Sequence, residues 1–395
     1  MIGMDVMTWL PAAGAAVLAA AAWSGAAWRG WRLERSMPEH VPGELLVKFH
    51  DGVAQEARCR IHEQCGGKVI AERGNGKLHH VKGGRASRSA RLLRDAYHEH
   101  PEVEYAEPNY IYRSCLAPND AFYPLQYGPK LIHAEQAWDK AAGDASVILA
   151  VVDTGVDGSH PDLSAKLLAG QDFVQPGQPP EDQNGHGTHV AGIAAAATGN
   201  GIGIAGIAPD ALVLPVRVLD RNGSGAIATI AAGVRYAADQ GAKVINLSLG
   251  GAGRSAVLRD AIRYAASKGA VIVAAAGNDG SPAKLYPAAY DEVISVGSVG
   301  AEDVHSAFSN YGAWVDVAAP GEKIVSTYRY GRYTYLSGTS MAAPHVSGVA
   351  ALLAGQGLDA SAIRERLLAS ADPIEGTGMY WAHGRVNAER AASGG

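Results

Sequence analysis

Val147-Ile148-Leu149-Ala150-Val151-Val152-Asp153-Thr154-Gly155 is a run of six apolar residues closed by a carboxylate, a hydroxyl and a glycine. A run this short with no polar face suits a strand covered on both sides, as in parallel sheets. Val271-Ile272-Val273-Ala274-Ala275-Ala276-Gly277-Asn278 repeats the pattern and again ends in a polar side chain. Between residues 147 and 355 such runs alternate with alanine-rich stretches of helical length, which reads as a series of βαβ units. The fold class is therefore α/β: a doubly wound, mainly parallel sheet with helices on both faces. Ligand sites in such sheets lie beyond the carboxyl ends of the strands, and Asp153 stands at one of them.

Two further segments carry chemistry. Asn184-Gly185-His186-Gly187-Thr188-His189-Val190-Ala191-Gly192 puts an imidazole at the head of a helix of small residues. Ser337-Gly338-Thr339-Ser340-Met341-Ala342-Ala343-Pro344-His345 puts a hydroxyl before an apolar helix expected from about Ala342 to Ala354. Pro344 then falls in the first turn, where a missing N–H costs nothing. Taken singly, each segment has a plainer role. Asp153 could cap a turn, Ser340 could be an ordinary N-cap, and His186 with His189 could share a metal. The metal reading lacks the zincin glutamate and any nearby cysteine. His189 reads as a packing neighbour. Taken together, the residues are the parts of one machine. Ser340 is the nucleophile, His186 the base that takes its proton and later returns it, and Asp153 the carboxylate that fixes the imidazole.

The chain order Asp, His, Ser is that of subtilisin and not of the chymotrypsin-like group. The sequence resembles the subtilisin family, and within it the thermitase branch, from about Ala117 to Val386. The matching stretches include Gln126-Tyr127-Gly128-Pro129, Val218-Leu219-Asp220, Tyr236 to Ile245, Val315 to Gly321 and Gly384-Arg385-Val386-Asn387. The resemblance implies that the Asn278 side chain and the Ser340 N–H bind the oxyanion. It also implies that Gly223, Ser224 and Gly225 pair with an extended substrate on one side, and Ser248, Leu249, Gly250 and Gly251 on the other. Backbone pairing of that kind reads shape more than sequence. The pocket for the residue before the scissile bond would be walled by Ser248 to Gly250 and Ala275 to Asn278, with Leu285 near its base, and would favour apolar side chains.

The same resemblance implies one strongly held Ca2+ and no catalytic metal. Its ligands would be the Asn200 side chain, the carbonyls of Ala197, Ile202 and Ile204, and the carboxylates of Asp120 and Asp162. Such a set of oxygens suits a hard cation. A second site, of the thermitase kind, keeps only Asp172 and Glu181 as charged candidates and is expected to be lost or weak. A third, weaker position could use Asp316 with carbonyls near Ala288, Tyr290 and Val293.

Ahead of the catalytic domain (116–395) lie two other units. Residues 37–115 read as βαββαβ, the ferredoxin-like α+β pattern. Glu44–Phe49, Lys68–Ile70, Leu78–Lys82 and Val103–Tyr105 are extended in this reading, and Val53–Gln64 and Ser87–Glu99 helical. Val41-Pro42-Gly43-Glu44 and Tyr105 to Tyr110 resemble the prodomain of fervidolysin-like subtilases. That likeness implies a folding aid whose C-terminal tail stays in the substrate cleft as an intramolecular inhibitor. Residues 1–36 hold an apolar run from Val6 to Trp28 that is long enough to span a bilayer. Asp5 precedes it and Arg29, Arg32 and Arg35 follow, so it reads either as a cleaved export signal or as a retained anchor. Any membrane contact would come through residues 6–28. Cys59, Cys65 and Cys115 all precede the catalytic domain, which therefore holds no disulfide.

With 395 residues, 47% hydrophobic content and 49 glycines, the chain can bury a large core and make many tight turns. A net charge of -5 argues against nucleic acid as a partner. The reading is of a monomeric serine endopeptidase, secreted or at the cell envelope, made as a self-processing zymogen and acting on polypeptides. Two alternatives stand beside it: a processing protease of narrow specificity, and an inactive homologue that only binds peptides.

Overall fold

The computed structural model describes residues 40–394 except 75, 85–89, 112–116 and 142. The leader or anchor reading of residues 1–36, Cys115 and the boundary expected between residues 115 and 116 lie outside them. The chain divides into two compact units, one ending at residue 114 and the other starting at 115.

In the first unit, strands β1 (His40–Phe49), β2 (Gly67–Arg73), β3 (Leu78–Gly83) and β4 (Val103–Tyr110) alternate with helices α1 (Gln55–Cys65) and α2 (Ala90–His98). The sheet order is β2-β3-β1-β4 and every pairing is antiparallel. This is the ferredoxin-like arrangement expected from the sequence. Period-two burial in β1 sends Leu45, Val47 and Phe49 inward against Ile61 and Cys65 of α1 and Leu93 and Tyr97 of α2. β1 and β4 are longer than the sequence suggests because their ends pair with each other, His40 opposite Tyr110.

The second unit is built on strands β5 (Ile148–Asp153), β6 (Gln171–Asp172), β7 (Leu212–Arg217), β8 (Val244–Leu247), β9 (Val271–Ala275), β10 (Ile294–Val299) and β11 (Val317–Pro320). They form one sheet in the order β11-β10-β9-β8-β5-β7-β6, and all its pairings are parallel. A hairpin of β12 (Ile324–Tyr328) and β13 (Arg332–Leu336) stands apart. The helices are α3 (Tyr127–Leu131), α4 (Ala134–Trp138), α5 (His186–Ala195), α6 (Ile227–Asp239), α7 (Ala256–Ser267), α8 (Thr339–Gly355), α9 (Ala360–Ala369) and α10 (Ala388–Ser393).

Alternate residues of β5 feed two separate cores. Leu149 and Val151 pack with α5 and α8, while Ala150 and Val152 pack with α6 and α7. That explains why the run reads as apolar throughout. α8 is buried on every side from Met341 to Leu353, as expected of a helix with no polar face. Among the described residues no helix is long and apolar enough to cross a membrane. The order of winding reverses at β5, which has β7 on one side and β8 on the other. The crevice beyond its carboxyl end is where such a sheet places a ligand.

Candidate active site

Asp153 ends β5 at that crevice, fully buried. The turn after it is tight. Gly155 has φ of 100°, and a Cβ there would lie 2.5 Å from the Pro180 carbonyl, so no other residue fits without a shift. Asp153 Oδ1 accepts from the Thr154 N–H at 2.7 Å and from His186 Nδ1 at 2.8 Å. A carboxylate can only accept, so the His186 proton sits on Nδ1 and Nε2 is left as an acceptor. Burial opposes charging His186, but the Asp153 carboxylate, by charge and by hydrogen bond, with Asp182 adding to it, holds its pKa above the usual value. Asp153 Oδ2 is buried and has no partner among the described residues.

His186 opens α5, whose thin face admits the hairpin strand β12. A Cβ on Gly192 would lie 2.2 Å from Thr327 Oγ1. Thr327 and Ser326 hydroxyls instead reach the carbonyls of Thr188 and His189, each at 2.7 Å. His189 Nε2 donates to the Ile324 and Thr334 carbonyls, and burial lowers its pKa to about 3. It is the neutral packing neighbour the sequence suggested, with no acid–base role.

Ser340 lies in the first turn of α8, which begins at Thr339 and so ahead of the expected Ala342. Pro344 is therefore in the second turn, where its missing N–H would leave the Ser340 carbonyl without a helical donor. Ser248 Oγ supplies one at 2.9 Å. The Ser340 hydroxyl donates to the Ser248 carbonyl at 3.2 Å. Among the described residues it makes no hydrogen bond to His186.

Asn278 follows β9. Its Oδ1 accepts from the Thr339 N–H at 2.8 Å and the Thr339 hydroxyl at 2.9 Å, so its Nδ2 is left to donate elsewhere. Thr339 Oγ1 in turn accepts from the Gly277 N–H at 3.1 Å.

A cleft of about 660 Å3 is lined by His186, by Gly223, Ser224 and Gly225, and by Ser248, Leu249, Gly250 and Gly251. Both strand-pairing segments named from the sequence meet there, whereas the expected pocket wall Ala275 to Asn278, Leu285 and Ser340 are not among the residues that line it. Leu219, Ile227, Ile230, Leu258 and Tyr286 give it an apolar lining that sequence reasoning missed, because they come from four separate segments. Leu285 lies between the two expected pocket walls: a Cβ on Gly250 or on Gly277 would be 3.3 or 3.1 Å from it. Asn310, also missed, accepts from the Asp279 N–H at 2.9 Å and donates to the Ala283 carbonyl at 3.2 Å, holding the loop after Asn278.

The two carboxylates expected to hold calcium lie against the 197–204 loop. Asp120 and Asp162 are buried, and neither makes an ion pair among the described residues. Asp120 Oδ2 accepts from the Gly199 N–H at 2.8 Å, while its Oδ1 is buried with no partner among the described residues. Burial raises the Asp120 pKa, and the Asp162 charge adds to this against the pull of nearby backbone N–H groups. Asp162 accepts from Asn200 Nδ2, the Ile204 N–H and the Tyr333 hydroxyl. Ala197 donates its N–H to the Asp162 carbonyl, and Ile202 donates its own to Asn200 Oδ1. Two buried like charges and an orphaned oxygen suit a cation bound by oxygens. The other two cation positions contain arginines. Arg217 pairs with Asp172 at 2.8 Å, both buried. Arg364 donates to the Val293 carbonyl at 2.9 Å and to Asp316 at 3.3 Å, so the third position holds a guanidinium.

Residues 144–389 match the model of the subtilase family. The chain belongs to the subtilase family. Residues 34–109 of this subtilase match the fervidolysin N-terminal prodomain. It is similar to the thermophilic serine proteinase of a Bacillus species, 48% identical over 357 residues, which span 90% of this chain and 88% of the relative. It is also similar to thermitase of Thermoactinomyces vulgaris, 57% identical over 275 residues, 69% of this chain and 98% of the relative. Among solved structures, a protease from Pseudoalteromonas arctica aligns with a TM-score of 0.67 at 34% identity, covering 70% of this chain and 98% of the other. This subtilase is a serine endopeptidase.

Proposed function

We propose that this subtilase cleaves polypeptides through an acyl-enzyme formed on Ser340. The reading rests on the 2.8 Å contact between His186 Nδ1 and Asp153, which leaves Nε2 as a base at the cleft. The Ser340 hydroxyl turns from the Ser248 carbonyl to His186 Nε2, gives up its proton and attacks the scissile carbonyl. His186 then protonates the leaving amine, and a water repeats the sequence to release the acid. Asn278 Nδ2 and the Ser340 N–H receive the oxyanion, a fit supported by the Asn278 orientation that Thr339 imposes.

Residues 37–115 are the folding aid and inhibitor of a zymogen that cleaves itself, and the enzyme acts outside the cytoplasm. Asp120, Asp162 and the 197–204 loop would hold one Ca2+, which supplies positive charge that stabilises the fold. It takes no part in the reaction.

Expression of the whole chain tests this reading. Wild-type protein should release a fragment beginning between about Tyr112 and Ala117, hydrolyse peptides and be labelled at Ser340 by phenylmethylsulfonyl fluoride. Ser340→Ala should do none of these. A Ser340→Ala protein that matures in a protease-free preparation overturns self-cleavage, and one that hydrolyses peptides overturns the nucleophile.

A further inference from the structure

Asp182 precedes α5 and is 4% exposed, yet it has no cationic partner among the described residues. Five donors surround its carboxylate. Oδ1 accepts from Thr154 Oγ1 at 2.9 Å, the Asn184 N–H at 2.8 Å and the Gly185 N–H at 2.7 Å. Oδ2 accepts from the Thr188 N–H at 3.0 Å and the Thr188 hydroxyl at 2.6 Å. An ordinary helix cap satisfies one or two backbone N–H groups from the adjoining residue. This carboxylate instead reaches across to the strand end that carries Asp153. Thr154 Oγ1, held by Asp182, accepts from the Gly187 N–H at 2.9 Å. Thr188 Oγ1 accepts from the Asp157 N–H at 2.9 Å. The backbone on both sides of His186 is thus tied, directly or through one hydroxyl, to the loop after Asp153.

We propose that Asp182 is a positioning residue for His186, clamping the first turn of α5 to the end of β5 and adding a second fixed negative charge beside the imidazole. This rests on the assignment of His186 as the proton carrier. Geometry and charge should separate experimentally. The other ionisable groups around the imidazole are Asp153 on β5 and His189 one turn along α5. Across the cleft, Asp220 and Arg221 lie on the loop that Asn184 Nδ2 reaches through the Arg221 carbonyl.

The test is the pH profile of kcat and KM for wild type, Asp182→Asn and Thr154→Val on one peptide substrate. Asp359→Ala, which removes the cap of α9, serves as a destabilised control away from the cleft. Asp182→Asn should lower kcat on the order of tenfold or more with little change in KM. It should also move the acid limb of kcat/KM about half a unit or more to lower pH. Thr154→Val keeps the charge and removes one arm of the clamp, so it should lower kcat without moving the limb. An unmoved acid limb in Asp182→Asn, or a kcat loss no larger than that of Asp359→Ala, overturns the proposal. If Asp182→Asn does not mature, a Thr154→Val enzyme with wild-type kcat overturns the clamp. Inactive wild-type protein, or active Ser340→Ala, would instead refute the assignment of the reaction.

Discussion

Ser248 and Ser340 are joined reciprocally, each hydroxyl donating to the other residue's carbonyl, at 2.9 and 3.2 Å. The first bond answers the carbonyl that Pro344 leaves without a helical donor. It extends inward, because Ser248 Oγ accepts from Asn246 Nδ2 at 2.9 Å and Asn246 Oδ1 accepts from Ser347 Oγ at 2.8 Å. The first turn of α8 is thereby tied to the end of β8 through buried polar groups. Such groups cost stability if left unpaired.

Ser248→Ala should therefore do more than trim the cleft wall. It strands the Ser340 carbonyl and Asn246 Nδ2, and should cost about 1–3 kcal/mol of stability. Turnover should fall as well, since the nucleophile's backbone is freed. Denaturant melts and kcat on one peptide check both. An unchanged melt would mean that water replaces the lost hydroxyl at no cost.

The strands and the three catalytic segments were legible because their cues are local: apolar runs of strand length, glycines in tight turns, and a nucleophile before a helix. The start of α8 was misplaced by three residues because the expected site for Pro344 was the first turn, and nothing local announces that Ser248 makes the second turn tolerable. Asn246, Asn310 and Asp182 were passed over for the same reason. Each is a polar residue in unremarked sequence with a partner on a distant segment: Ser347 for Asn246, Asp279 for Asn310 and Thr154 for Asp182. The arginines at the two lesser cation positions were equally hidden, since Arg217 and Asp172 are 45 positions apart and meet only when β6 pairs with β7.

Asn278→Ala should lower kcat on the order of a hundred- to thousandfold with little change in KM, a magnitude already known for the same donor in subtilisin. Thr339→Val should give part of that loss, because it removes the hydroxyl that fixes the Asn278 amide but keeps the N–H. Steady-state kinetics of the two variants check this. Equal kcat in Thr339→Val and wild type would show that the backbone N–H alone orients Asn278.

The first unit carries a buried relay. Tyr97 OH meets His62 Nδ1 at 2.7 Å, His62 Nε2 meets His79 Nδ1 at 2.7 Å, and His79 Nε2 reaches the Gly76 carbonyl at 3.1 Å. That carbonyl can only accept, so the pattern closes with both imidazoles neutral. Burial and the neighbouring His79 lower the His62 pKa to about 4. The folded state thus binds this proton less readily than the unfolded chain. Its stabilising effect is complete above about pH 6.5 and is lost as pH falls toward 4, on the order of 3 kcal/mol in all. Hydrogen exchange of full-length Ser340→Ala protein should show α1 and β3 amides losing protection over that window. His62→Gln should flatten the dependence, and protection that stays constant from pH 7 to 4.5 would refute it.

Calcium is the sharpest test of the second unit. Among the described residues Asp120 Oδ1 has no partner beside a second buried carboxylate, whereas at Asp172 and Asp316 an arginine already supplies the positive charge. One ion per molecule should therefore survive dialysis. Stability should rise by mass action as calcium is added, roughly 2.7 kcal/mol at a hundred times Kd. The raised pKa of Asp120 sets the direction of the pH effect: protons compete for the empty site, so affinity should fall as the medium is acidified. Asp162→Ala should abolish the calcium-dependent part of the melting temperature while leaving His186 and Ser340 in place. Metal analysis after dialysis, with melting curves in calcium and in chelator, gives the answer. Two retained ions, or an Asp162→Ala protein that calcium still stabilises, would place the site elsewhere.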